Sequence, residues 1–459
     1  MIVVYIPDIK ITYGEFMSVQ LSDHFTYSKL LRFTVPSIIM MVFTSIYSVV
    51  DGLFVSNFVG ASAFAAVNLI MPFFMIPGAV GFMFSSGGSA LVAKTLGEKR
   101  KIRANRIFAL LVYACAVIGF LMAAVSLLFV RKALEHFGVE GNLLNMAMVY
   151  CNILMPFAPL YILQCLFQAF LITAEKPKLS MIVTIVAGVT NIGLDMLFIV
   201  ILNWGLAGAA WATVFRMAIG AAVPLVYFVM PNKSPLRLGR TGLYGNAILK
   251  SCTNGLSEFM SNVSMSVVAM LYNYQLLKIA GENGVVAYGI IAYVNFIFTS
   301  VFFGFAVGSS PIVSYHYGAR NVRELKNLFR KNFVFIGVSA VVMTLAAEIS
   351  AGILARVFVG YDETLQNMTA VGFRIYAISF LFAGFNIYAS AFFTALNNGI
   401  VSAVISSVRT LVCECGAVLV LPAFFGLTGI WSSIIVAEVA ALAVSIYCLA
   451  RFRHRYEYV

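Results

Sequence analysis

The chain has 459 residues, of which 61% are hydrophobic and only 10% are charged, and its mean hydropathy is +0.95. A soluble domain carries about 25% charged residues, so this chain could not cover itself with a wetted surface. An ordinary soluble enzyme, a disordered chain and a fibrous repeat are therefore excluded. The net charge of +12 fits basic loops between membrane helices better than nucleic-acid binding, and no nucleic-acid partner is expected.

The N-terminal residues hold several charged side chains and no long apolar core, so they do not form a cleavable signal sequence. We predict a cytoplasmic segment over 1–28. Met17 is an alternative start to Met1, because the regular apolar pattern begins only near Tyr27.

Long apolar runs then alternate with short polar breaks. A membrane helix needs about 20 apolar residues, and Gly and Pro are tolerated inside it. The sequence predicts twelve such spans, over about 29–56, 61–94, 106–130, 143–173, 179–202, 206–230, 248–277, 284–316, 328–357, 366–396, 400–424 and 427–450.

Basic residues concentrate in the breaks that follow even-numbered spans. They include Arg100, Lys176, Arg240, Arg323 and Arg453. The breaks after the first, fifth and eleventh spans contain no Lys or Arg, and the exceptions to the pattern are Arg131, Lys132 and Lys278. Because cytoplasmic loops carry an excess of Lys and Arg, we predict a multi-pass protein of the inner (cytoplasmic) membrane with both termini in the cytoplasm.

The chain repeats itself at an interval of about 221 residues: 89–97 matches 310–318, and 205–208 matches 426–429. Each half contains six spans, so both halves start on the same side of the membrane. The predicted fold class is an all-α polytopic membrane protein with twelve transmembrane helices in two pseudo-symmetric six-helix lobes. Such proteins bind substrates between their lobes and move by rocking, which favours a transporter over a duplication with no moving parts.

The predicted division of the chain follows from this repeat. It places an N-lobe at 29–231, a cytoplasmic linker at 232–247, a C-lobe at 248–450 and a cytoplasmic tail at 451–459.

Three carboxylate or amide side chains and one hydroxyl lie inside spans of the first half: Asp51, Asn191, Asp195 and Thr213. A charge near the bilayer centre costs about 2.5–3.5 kcal/mol on insertion scales, so each needs a partner or a function. Asn191 and Asp195 share one helix face at i, i+4. If these helices meet, the oxygen-rich cluster suits Na⁺, and two close carboxylates can also share H⁺. A capping role for Asp51 and helix–helix hydrogen bonding by the fifth span are the structural alternatives.

A second polar pattern falls on the seventh span at i+4 steps: Asn254, Glu258, Asn262 and Ser266. This stripe should face water or the other lobe rather than lipid. Glu258 could attract a cationic substrate or carry a proton, and the alternative is a polar packing seam.

Later spans contain ionisable residues of both signs, Arg216, Arg409, Glu414 and Glu438, which we interpret as structural ion pairs. In the first span, Pro36 should kink or weaken the helix, and we predict a hinge there. Forty Phe and 20 Met suit a cavity for flat, greasy cations, although most are expected to face lipid.

Catalytic and cofactor signals are missing from the sequence. The seven Cys lack zinc spacing and are interpreted as free thiols. There is no HExxH, GxSxG or Walker motif. We therefore predict a protein that is not an enzyme, needs no cofactor and transports by using an ion gradient.

The order and spacing of several motifs resemble the multidrug and toxic compound extrusion (MATE) family, in its prokaryotic DinF-like and MepA-like branch. The motifs are Pro36 with Asp51 fifteen residues later, Ala-Lys-Thr-Leu-Gly-Glu at 93–98, Asn-Ile-Gly-Leu-Asp at 191–195 and Gly-Leu-Ser-Glu-Phe at 255–259. The resemblance covers about 28–450.

This resemblance implies antiport, in which an organic cation or amphipathic foreign molecule leaves while Na⁺ or H⁺ enters. It implies a coupling site at Asp51, Asn191, Asp195 and Thr213, with Glu258 as the second-lobe acid. The tenth span has no carboxylate, unlike that of some relatives, which shifts the expected site to the first lobe. The choice between Na⁺ and H⁺ as the coupling ion stays open. The protein is expected to be a monomer.

Three other functions fit the sequence less well. A lipid-linked oligosaccharide flippase of the same superfamily would need several Arg or Lys in its cavity, where this sequence offers acids. A membrane-embedded enzyme lacks a motif, and a passive channel would need no counterflow of substrate.

Overall fold

The computed structural model describes residues 19–136, 138–360 and 362–459. Most of the predicted segment 1–28, including Met17, lies outside the described residues. Throughout the described part, the apolar runs form helices, because a membrane leaves no water to satisfy exposed backbone groups.

The first lobe contains the first to sixth spans. Their bounds are Tyr27–Phe54, Ala61–Gly97, Lys101–His136, Gly141–Thr173, Pro177–Ile201 and Gly205–Val229. The fourth span has a 3₁₀ turn at Met155–Phe157, and the fifth ends in π-helical geometry at Met196–Ile201. A further π-helical segment, Val55–Val59, follows the first span.

The second lobe begins with a short helix, Gly245–Asn254, which the non-helical segment 230–244 connects to the first lobe. Two long helical stretches are then each divided by a glycine with positive φ. Gly281 (φ 65°) divides Leu256–Gly318 into the seventh span, 256–280, and the eighth, 282–318. Gly426 (φ 55°) divides Gly399–Tyr456 into the eleventh, 399–425, and the twelfth, 427–456.

Between them lie the ninth span, Val322–Val359, and the tenth, which consists of Glu363–Ala377 and Phe380–Ala395 joined at a bend of 50°. The eleventh span contains a π-helical segment, Val408–Glu414. The predicted twelve-helix fold class is confirmed, and the two helix-breaking glycines fall between the predicted ends of the spans that they separate.

Both ends of the described chain lie on one side of the bundle, which we call the terminal side. Phe25 packs on His316 with ring centroids 6.2 Å apart, and Tyr456 packs on Tyr317 at 5.7 Å. All the breaks that follow even-numbered spans, which carry most of the basic residues, therefore share this side.

The lobes meet on the terminal side through a reciprocal pair of glycines on the second and eighth spans. A Cβ atom at Gly97 would lie 2.0 Å from the carbonyl oxygen of Tyr315, and one at Gly318 would lie 2.0 Å from that of Lys94. The repeat interval relates these two contacts to each other. The pseudo-twofold axis therefore passes between the two helices, whose backbones touch where no side chain fits.

The first span also contacts the second lobe, close to Pro36. A Cβ at Gly304 of the eighth span would lie 2.6 Å from the Cα of Ile38. Pro36 itself is buried inside the helix Tyr27–Phe54, which continues through it. The predicted hinge is thus placed at a contact between lobes, and its bending stays a prediction.

A strap, residues 21–25, joins the two lobes on the terminal side. The N–H of Leu21 donates to Glu175 Oε1 (2.8 Å), in the break between the fourth and fifth spans. The N–H of Phe25 donates to Glu324 Oε1 (2.9 Å) at the start of the ninth span, and His24 Nδ1 lies 2.6 Å from Glu324 Oε2. Burial raises the pKa of Glu175, which the bond from Leu21 opposes.

We expect Glu324→Ala to loosen this strap. A buried N–H left without its acceptor costs about 1–3 kcal/mol, so hydrogen exchange at the Phe25 amide should accelerate by about tenfold, the equivalent of about 1.4 kcal/mol. Amide exchange with mass spectrometry measures this. Glu98→Ala, which removes a surface contact to Arg100 (3.4 Å), is the control. Unchanged exchange at Phe25 would show that Glu324 does not hold the strap.

Candidate functional site

The four residues predicted to bind a cation come together inside the first lobe. The carboxyl group of Asp51, on the first span, lies within hydrogen-bonding reach of the Asn191 and Asp195 side chains on the fifth. Thr213, on the sixth span, lies within reach of the Tyr150 hydroxyl, which also faces both acids. We call these five residues the first-lobe cluster.

The fifth span reaches the first because of a glycine one turn before Asn191. A Cβ at Gly188 would lie 2.6 Å from the Phe43 ring, so only glycine lets the two helices approach this closely. The π-helical segments Val55–Val59 and Met196–Ile201 begin just beyond Asp51 and Asp195. π-Helical turns occur frequently at functional sites, and here they adjoin the two acids.

Most of the cluster is buried, and several of its polar atoms have no hydrogen-bond partner among the described residues. Asn191 is 1% exposed, Asp195 is 0% and Thr213 is 5%. Among the described residues, both carboxylate oxygens of Asp195 and Oδ1 of Asp51 have no hydrogen-bond partner. Buried carboxylates are costly unless a proton or a cation compensates them. Two neighbouring acids with three of their four carboxylate oxygens unpartnered are therefore arranged to share a proton or a cation.

Arg216 adds a fixed positive charge beside the cluster. Its Nη1 donates to the Tyr47 hydroxyl (3.1 Å), and its guanidinium lies 5.3 Å from the centre of the Tyr47 ring. It attracts Asp51 but forms no ion pair within 4.0 Å among the described residues. The predicted pairing with an acid is thus found for Arg409, whose Nη2 lies 2.6 Å from Glu438 Oε1, whereas Arg216 is held by a tyrosine.

The net charge of the site follows from these neighbours. Asp51 and Asp195 contribute two negative charges and Arg216 contributes one positive charge, so the ionised cluster carries a single negative charge. One monovalent cation or proton neutralises it. No group of three or more His, Cys, Asp or Glu that could hold a metal ion is found in the described part of the chain.

The polar stripe of the second lobe is not continuous, which corrects the sequence interpretation. Gly255, whose backbone is not α-helical (φ −96°, ψ 7°), separates the short helix that ends at Asn254 from the seventh span. A Cβ at Gly255 would lie 1.9 Å from the Met83 carbonyl oxygen, so no larger residue fits there. Asn254 Nδ2 instead donates to the carbonyl oxygens of Gly87 (3.3 Å) and Thr394 (3.1 Å). Asn254 therefore lies in the seam between the lobes.

Glu258 and Asn262 lie on the seventh span and are half-buried, and Ser266 is exposed. Asn262 Nδ2 donates to the backbone carbonyl of Glu258 (2.8 Å) rather than to its carboxylate. The Glu258 carboxylate has no ion pair among the described residues.

Tyr150 and Tyr47 were missed by the sequence analysis. The chain contains 21 Tyr, and nothing in the local pattern distinguishes these two. Their importance depends on packing between spans far apart in sequence, which places Tyr150 at the acids and Tyr47 under Arg216.

Comparisons with known proteins agree with this architecture. The MatE family model matches residues 36–197 and 259–416. The multidrug export protein MepA of Staphylococcus haemolyticus (strain JCSC1435) is 23% identical over 436 residues, which cover 94% of each chain.

Two solved structures show the same fold. An outward-facing multidrug resistance MATE family transporter of the MOP superfamily superposes with a TM-score of 0.91 at 21% identity, over 96% of this chain and 99% of that one. A MOP superfamily transporter from Pyrococcus furiosus Vc1, whose binding pocket has reverse polarity, gives 0.87 at 22% identity, over 95% and 97%.

Proposed function

Because this chain belongs to the MatE family, the multidrug and toxic compound extrusion transporters, we propose that it is a secondary active efflux antiporter. It exports organic cations and amphipathic foreign molecules in exchange for Na⁺ or H⁺. The observation that carries the proposal is the pair Asp51 and Asp195, three of whose four carboxylate oxygens are buried without a hydrogen-bond partner among the described residues. Together with Arg216, the ionised pair carries one net negative charge. The similarity to a multidrug export protein supports the substrate class.

Coupling follows from competition for this charge. The cation binds at Asp51, Asn191, Asp195 and Thr213. Asp51 shares its helix with Pro36, whose neighbours Ser37 and Ile38 approach Gly304 on the eighth span of the other lobe. Neutralising Asp51 changes the bend of the first span, and the changed bend alters the contact between the lobes. By linkage, if bound cation lowers the affinity for substrate, then bound substrate lowers the affinity for the cation by the same factor.

The same proposal places the substrate between the lobes, where Glu258 and Asn262 attract its positive charge. The terminal side faces the cytoplasm, because it carries most of the basic residues. The protein then lies in the cell's inner membrane as a monomer, with both termini inside.

The flippase alternative is not favoured by the site. A polyprenyl pyrophosphate needs free basic groups in the cavity. The two Arg inside the spans near the clusters are engaged, Arg216 by Tyr47 and Arg409 by Glu438.

Reconstituted protein tests the proposed function. We expect purified protein in liposomes to move a fluorescent organic cation against its gradient when a Na⁺ gradient or a pH gradient is imposed alone. Collapse of the effective gradient by the matching ionophore should stop transport, and protein-free liposomes are the control. Movement that follows only the substrate's own gradient would show a passive channel instead.

A further inference from the structure

The second lobe contains another buried group of charges, which its own ion pair does not balance. Arg409 donates to Glu438 Oε1 through Nε (2.8 Å) and Nη2 (2.6 Å). Asn386 Nδ2 donates to Glu438 Oε2 (2.7 Å), and the Ser445 hydroxyl donates to the side-chain oxygen Oδ1 of Asn386 (2.8 Å). Glu438 is therefore fully paired at 1% exposure.

Glu414 is the second acid of this group, and it has no such partners. It forms no hydrogen bond or ion pair with the described residues, and its nearest charges are Glu438, which repels it, and Arg409, which attracts it. Two acids and one Arg leave one negative charge inside the membrane, which is costly without a compensating cation. Glu414 is half-buried.

Tyrosines from three other spans surround Glu414. They are Tyr272 on the seventh span, Tyr288 on the eighth and Tyr376 on the tenth. Tyr272 is 0% exposed, stacks on Tyr288 with centroids 4.5 Å apart, and has a buried hydroxyl without a partner. The buried Tyr272 hydroxyl is thus an unpartnered neutral oxygen within electrostatic range of Glu414.

Local helix geometry connects this group with the first-lobe cluster. The structure describes three π-helical segments, and two of them adjoin Asp51 and Asp195. The third, Val408–Glu414, contains both Arg409 and Glu414. The repeat interval also relates Tyr272 to Asp51, so the two groups occupy corresponding places in their lobes.

We propose that Glu414, Tyr272 and the Arg409–Glu438 pair form a second binding site for one small monovalent cation, H⁺ or Na⁺. Glu414 supplies the exchangeable carboxylate and Tyr272 a neutral oxygen. The Arg409–Glu438 pair is a structural ion pair, as the sequence analysis interpreted it, whereas Glu414 is not part of it. The role of this site in transport rests on the proposed antiport function. In each transport cycle it would bind a second cation in addition to the one at the first-lobe cluster.

Counting cations per exported molecule tests the site. In proteoliposomes, the substrate gradient that just balances an imposed Na⁺ or pH gradient gives this ratio. We expect Glu414→Gln to lower the ratio by one relative to the unmodified chain, under whichever gradient drives transport. Glu348→Gln, an acid on the ninth span outside both clusters, should leave it unchanged. An unchanged ratio in Glu414→Gln would overturn the proposal.

Direct binding separates failure of the site from failure of the antiport. Purified protein in detergent is titrated with acid and with ²²Na⁺ at constant pH. Glu414→Gln should lose one titrating or Na⁺-binding group, and Tyr272→Phe should weaken binding by about tenfold, because it removes a neutral oxygen ligand of the cation. If the unmodified chain does not exchange ions for substrate, the antiport fails. The site fails if Glu414→Gln binds the cation as the unmodified chain does.

Discussion

Asp51→Asn is expected to abolish ion-driven export while the protein stays folded. The amide keeps the shape of the carboxylate. The charges of Asp195 and Arg216 then cancel, so the first-lobe cluster has no net charge for a cation to neutralise. An interaction with a charged group contributes about 1.5–3 kcal/mol, so cation affinity should fall by about 10- to 150-fold. Transport of a fluorescent cation under Na⁺ and pH gradients measures the loss.

A double variant tests whether charge is the cause. Asp51→Asn with Arg216→Met restores one negative charge at Asp195, so part of the ion dependence should return. Recovery would separate a charge effect from damage to the fold. Persistent exchange of substrate against the ion gradient in Asp51→Asn alone would contradict the role of Asp51.

Gly318→Val is expected to prevent the lobes from closing on the terminal side. Its Cβ would lie 2.0 Å from the Lys94 carbonyl oxygen, and a backbone atom of the facing helix cannot rotate away as a side chain can. Overpacking costs about 1–3 kcal/mol, enough to shift a balance between two conformations by about tenfold. Gly97→Val should act alike, because its contact with Tyr315 is the counterpart.

Distances between spin labels at Arg103 and Arg323, exposed at the starts of the third and ninth spans, measure this closure. The labels need a background without the seven native Cys. The distance should increase in Gly318→Val and export should drop with it. Gly289→Val, on the same span with nothing within 4 Å of its Cβ, is the matched control. Equal distances in both variants would show that the glycine contact does not control closure.

The spans were predictable because their signal is local. Twenty apolar residues between polar breaks specify a membrane helix wherever it packs, and Gly281 and Gly426 end helices through their own backbone geometry. The acids at Asp51 and Asp195 were also recognisable, since a carboxylate inside an apolar run is unusual whatever surrounds it.

What depended on contacts between distant spans was not predictable. The i+4 spacing places Asn254 and Glu258 on one helix face, but the helix is interrupted at Gly255, where the Met83 backbone of the other lobe packs closely. Likewise Arg216 lies near the acids Asp51 and Asp195, yet its guanidinium donates its hydrogen bond to the Tyr47 hydroxyl. Neither arrangement has a signature within its own segment.

The paired glycines, Gly97 and Gly318, make each half of the chain limit which residues the other half can accept at this contact. A larger residue can enter one copy of the duplicated segment only if the opposite backbone retreats, so each half limits what the other can accept at this crossing. Elsewhere the halves are free to diverge, and Tyr272 stands where the first half has Asp51. The crossing therefore requires glycine in both copies, while the interiors of the two lobes carry different residues at equivalent positions.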